Sequence, residues 1–69
     1  MSEFVKITKK QKLEKDCVLY YKFGHRIEER NMAECKLMFE DLDYHLFVYF
    51  RNDIYATMKA KKTHFFIKQ

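Results

Sequence analysis

Apolar positions recur with a period of two through the second half of this chain, and in one stretch they fill both parities. Tyr44, Leu46, Val48 and Phe50 form one row; His45, Phe47 and Tyr49 form the other. Side chains of a strand alternate between faces, so the run predicts a β-strand from Tyr44 to Arg51 with large groups on each side. A short domain buries one such row in its own core. The Leu46 and Val48 row is expected inside, under a helix, and the Phe47 and Tyr49 row against a partner or a second copy of the chain.

The same periodicity places further elements. Phe4 to Thr8 alternates, with Val5 and Ile7 in one row, and reads as a short strand. Residues 9–23 support two readings. Thr8 with Gln11 fits a capping box that would put Leu13, Cys17 and Tyr20 or Tyr21 on a helical face, whereas Cys17 to Phe23 is rich in β-formers and favours a strand. Gly24-His25 predicts a turn, with Arg26 to Arg30 as a second hairpin arm. Ile54 to Ala60 alternates with Ile54, Ala56, Met58 and Ala60 in one row, after a turn at Asn52-Asp53. Lys61-Lys62-Thr63 breaks the pattern before a last strand, His64 to Lys68. The second half is thus expected to be a three-strand antiparallel meander.

One segment carries a different period. Met32, Cys35, Phe39 and Leu42 follow 3, 4, 3 spacing, Asn31 is a good N-cap, and Ala, Glu, Lys, Leu and Met fill the interior, so a helix is expected over 32–42. Glu40, Asp41 and Asp43 oppose its dipole, leaving a strand from Cys35 to Glu40 as the rival. The predicted class is α+β: an antiparallel sheet of four to five strands with this helix packed on one face. A small all-β barrel is the alternative. The chain, 1–69, reads as one domain without repeat or linker, having one glycine and no proline.

Composition sharpens this picture. Hydrophobic residues make up 48% of the chain and seven Phe with five Tyr supply core material, enough to predict a folded domain. The net charge of +4 resolves into blocks. Residues 1–26 hold seven basic against three acidic groups, residues 27–53 three against seven, and residues 54–69 four lysines and no acid. An acidic centre is a poor track for a phosphate backbone, although the two basic ends are free to lie side by side. The start Met1-Ser2-Glu3-Phe4 lacks the features of a signal peptide, so a cytoplasmic protein with reduced Cys17 and Cys35 is expected.

Chemistry finds little support. Cys17, His25, Cys35, His45 and His64 lack the paired spacing of metal ligands, so neither metal nor cofactor is expected. Both cysteines sit in apolar rows, where a thiol's pKa rises. The acid pairs Glu28-Glu29 and Glu40-Asp41 are sequence neighbours that point to different faces. The chain is therefore expected not to be an enzyme. Phe47-Val48-Tyr49-Phe50 matches the F-V-x-F end of the RNP1 strand of the RNA-recognition motif, but Asp43, Tyr44, His45 and Leu46 stand where that motif has its basic residue and glycines.

The function expected is that of a small protein-binding module of inhibitor or adaptor type. Compact chains of this kind suit virus- or phage-encoded effectors of host machinery. Its docking face would be aromatic with an acidic rim: Phe47, Tyr49, Arg51, Tyr55 and Tyr21, with Glu40, Asp41 and Asp43. The partner is another protein, or a second copy in a homodimer. The alternative is a nucleic-acid-binding regulator that uses Lys9, Lys10, Lys12, Lys59, Lys61 and Lys62 beside exposed aromatics. No run is apolar and long enough to span a membrane.

Overall fold

The computed structural model of the protein describes residues 3–50 and 53–69, with the backbone alone at 53–55. Six strands form one antiparallel sheet: β1 (Phe4–Lys6), β2 (Val18–Lys22), β3 (Met32–Glu40), β4 (His45–Phe50), β5 (Asp53–Lys61) and β6 (Phe65–Lys68). Two short 3-10 turns, Glu29–Asn31 and Lys62–His64, are the helical elements among the described residues. The order across the sheet is β1-β6-β2-β3-β4-β5.

The expected helix over 32–42 is replaced by β3, so the α+β class does not hold. Cys35 and Leu37 are buried in alternation, and β3 hydrogen-bonds to β2 on one side and β4 on the other. As a helix it would leave two ladders unpaired, and that tertiary demand outweighs the propensity of its Ala, Glu, Lys and Met. The helical spacing has a local cause: a β-bulge between Leu37 and Phe39 shifts the register and breaks the period of two. The barrel alternative fails as well, because the sheet is open, with β1 and β5 as its edges.

The expected meander ends at β5. β6 leaves β5 through the Lys62–His64 turn and pairs with β1 and β2 instead. Four strand intervals separate β5 from β6, ~19 Å in a flat sheet, yet only the 3-10 turn joins them. That link advances roughly 2 Å per residue, so the sheet must coil strongly on itself.

Coiling supplies one wall of the core. Directly opposed rows Leu19–Cys35–Phe50, Leu37–Val48–Met58 and Leu46–Ala60 face inward, and Leu46 and Val48 are 0% exposed. The other wall is the connection over residues 7–17, which takes the place assigned to a helix. Ile7 is buried in the core cluster, with Leu13 and Cys17 packed against it. This segment is an irregular loop. Thr8 and Gln11 form a single turn, the Gln11 N–H donating to the Thr8 carbonyl. Asp16 takes a left-handed φ of 66° to redirect the chain, and its N–H donates to the Leu37 carbonyl at 2.8 Å.

One ion pair anchors the loop. Lys62, 3% exposed, donates from Nζ to the Gln11 carbonyl and to both carboxylate oxygens of Glu40, at 3.2 and 3.3 Å. The alternating charge blocks of the sequence thus pair within the molecule. Lys68 meets Glu29 at 3.0 Å, Lys62 meets Glu40, and Lys59 lies 3.9 Å from Asp41.

Candidate functional site: the β3–β4 hairpin tip

The bulge in β3 determines what the second face of the sheet displays. Before it, Cys35 and Leu37 point into the core. Regular alternation would send Phe39 after them. The extra residue, Met38, reverses the parity, so that Phe39 stands opposite Phe47 on the outer face. Re-aiming a side chain in this way is a common result of bulges. The two rings stack at 4.2 Å between centroids and 14° between planes, with Phe39 52% exposed. Lys59, opposite Phe47 on β5, holds its ammonium 5.3 Å from the Phe47 ring centre.

The turn that joins the two strands is held by a side chain. Asp41 Oδ1 accepts the N–H of Asp43 at 2.9 Å and of His45 at 2.8 Å, while the Asp41 N–H donates to the His45 carbonyl. The hydrogen bond from His45 does most to hold the Asp41 carboxyl below the usual carboxylate range. The Asp43 N–H, the His45 ring and Lys59 add to it, against a partial burial that acts the other way. Two residues are left in unusual positions. Leu42, at the apex, is 98% exposed, and Tyr44 has a φ of 61°, a left-handed conformation rare for a bulky residue.

Along the outer face the aromatic surface continues to Tyr49, which lies in a row with Val18, Lys36 and Thr57. The Tyr49 hydroxyl donates to Asp16 at 3.1 Å; partial burial first, and then the Asp16 carboxylate, push its pKa up. Further across, Phe4 packs edge-on against Tyr20 at 5.3 Å, over a Phe66 that is paired between Lys6 and Tyr20 and itself buried. The domain therefore carries an exposed aromatic cluster of the kind found at protein-interaction surfaces.

The structure sorts the residues expected at the docking face. Phe47 and Asp41 meet at the hairpin tip, Tyr49 is one step along the same face, and Asp43 is exposed in the turn. Glu40 points to the opposite face and is engaged by Lys62. Tyr21 also belongs to the core face, edge-on to Phe65 at 5.4 Å and to Phe23 at 5.0 Å. Arg51 and the side chain of Tyr55 lie outside the described residues, as does Asn52 of the expected turn.

Of the basic set, Lys9, Lys10 and Lys12 gather near Lys61 and Lys62, whereas Lys59 lies beside Phe47. Phe39 and Leu42 belong to the 3, 4, 3 spacing that predicts a helical stripe. The available signal for their true role was the acidic end of that segment, which opposes a helix and suits a tight turn. No protein-family model matches this chain, nor does it match any curated protein or solved structure. Among the described residues no His, Cys, Asp and Glu cluster to hold a metal ion, and no helix is long and apolar enough to cross a membrane.

Proposed function

We propose that the protein is a non-enzymatic docking module, of inhibitor or adaptor type, that binds another protein through the β3–β4 hairpin tip. The observation that carries this reading is the bulge at Met38, which turns Phe39 out of the core and onto an exposed stack with Phe47. An apolar ring held at the surface at the expense of regular pairing is what a covering partner would account for. Leu42 extends the same surface as a knob on a turn fixed by Asp41. A turn whose backbone is already held loses little main-chain freedom on binding, and an apolar cleft on the partner would take the Leu42 side chain.

The test is a Phe39→Ser/Leu42→Ser variant compared with wild type as bait, after nuclease treatment and with matched thermal melts. A specific protein should be retained by wild type, and the purified protein should bind the variant at least about tenfold more weakly, as expected from removing two apolar anchors. Retention abolished by nuclease, or equal binding by the variant, refutes the reading. A wild-type dimer that the two substitutions dissociate would show that the patch serves self-association instead.

A further inference from the structure

We propose that the protein has a second binding site, a groove for the phosphate backbone of a single-stranded nucleic acid, on the side of the hairpin turn where the 8–12 loop meets the β5–β6 junction. Two adjoining depressions form it, of about 340 and 490 Å³. Lys9, Tyr44 and Lys62 line both. Lys61 lines the first, and Lys10 and Lys12 the second. Basic groups far apart in sequence are thus brought to one place.

Their charges are free to act outward. Among the described residues Lys9, Lys10, Lys12 and Lys61 have no acidic partner, and Lys9 holds its Nζ 4.7 Å from the centre of the Tyr44 ring. Glu40, the carboxylate of the second depression, is already occupied by Lys62, which leaves Asp43 as the opposing charge among the lining residues. Lys62 has a structural part: by holding the Gln11 carbonyl and Glu40 together it fixes the loop that carries Lys9, Lys10 and Lys12. Four ammonium groups spread over a groove suit a chain of phosphates better than a single small anion, which needs donors converging on one point.

Tyr44 is the independent observation. Its left-handed backbone takes it out of the strand row in which alternation would place it, and it is 37% exposed where the depressions join. Its carbonyl accepts the Lys62 N–H at 2.9 Å, so the strained residue is tied to the anchor of the groove. Strained backbone is retained where a site requires a particular side-chain direction. An aromatic ring among lysines is the arrangement that stacks bases while cations hold the backbone.

Fluorescence anisotropy with a labelled short oligothymidylate tests the proposal. Four phosphate contacts give a slope of about −3 for log K against log salt, a loss of about fiftyfold between 50 and 200 mM. Lys10→Gln/Lys12→Gln should reduce the slope to about −1.4. Tyr44→Asn, which retains a left-handed backbone, should weaken binding at least about fivefold with the slope unchanged. Lys6→Gln/Lys36→Gln, on the outer sheet face, should change neither. Absence of binding at 50 mM salt overturns the proposal. So does equal loss in the Lys6/Lys36 variant, or displacement by tripolyphosphate at equal phosphate concentration combined with no effect of Tyr44→Asn.

Discussion

Replacing Lys62 by methionine tests the account of how the loop over residues 7–17 is held on the core. Methionine keeps most of the side-chain length, so little cavity is created and the cost is electrostatic. The variant loses the hydrogen bonds to Gln11 and to both oxygens of Glu40. It also leaves that carboxylate facing the place of a charge that is 3% exposed. Breaking a buried pair by removing one partner costs roughly 3–5 kcal/mol. The Glu40 side chain keeps 27% of its exposure, so water restores part of its solvation, and about 2–3 kcal/mol is the expected loss. Against a total stability of roughly 3–10 kcal/mol for a chain of this length, that lowers the melting temperature by roughly 10–20 °C. Urea titration followed by circular dichroism should show an earlier midpoint with an unchanged slope. Lys62→Met/Glu40→Leu should recover most of the loss, with a coupling energy above about 1.5 kcal/mol. A single variant as stable as wild type, or a double variant no better than the single, would refute the reasoning.

Two further outcomes follow from the faces of the sheet. Val48→Lys places a charge at a fully buried position and should abolish the folded circular dichroism spectrum. Phe47→Lys removes an exposed stack worth about 0.5–1.5 kcal/mol and should leave the domain folded; equal damage from both would show that β4 is buried on each side. Burial pushes the Cys35 thiol up to about 12, with smaller contributions from Cys17 and Glu34. The unfolded chain therefore ionises this group first. Stability from Cys35 is complete below about pH 9 and falls as pH rises toward 12, by about 1.4 kcal/mol per unit. Urea midpoints between pH 8 and pH 11 should decline less steeply in Cys35→Val, and Cys35 in the native protein should resist thiol reagents longer than Cys17. Faster labelling of Cys35 would contradict its placement.

What could be read from the chain was what depends on neighbours in sequence. Two filled rows over 44–51 located β4 and alternation over 54–60 located β5, and Leu46 and Val48 lie in the core as their row predicted. Two things escaped. Met38 adds one residue to β3, and one residue is enough to convert a strand's period of two into spacings that resemble a helix. The place of β6 depends on a contact between distant segments, which no local pattern encodes. The aromatic surface was legible through Phe47 and Tyr49, but its most exposed members, Phe39 and Leu42, were hidden by the helical reading. The covering of the core by Ile7, Leu13 and Cys17 was obscured by the lysines between them.

The insertion of β6 between β1 and β2 also divides the molecule by order of assembly. Strands β2 to β5 pair each with the next along the chain, so each ladder closes a short loop at small entropic cost. β1 pairs only with β6, setting Phe4 against Lys68 from opposite ends of the chain. That ladder repays its long loop closure only after β2 to β5 stand, and it contains few residues to do so. β6 is tied to β2 and to the core by Phe65, so it is β1, an edge of three residues, that should behave as the weaker unit. Its amides would exchange with solvent through partial opening, while those of β3 and β4 would wait for global unfolding.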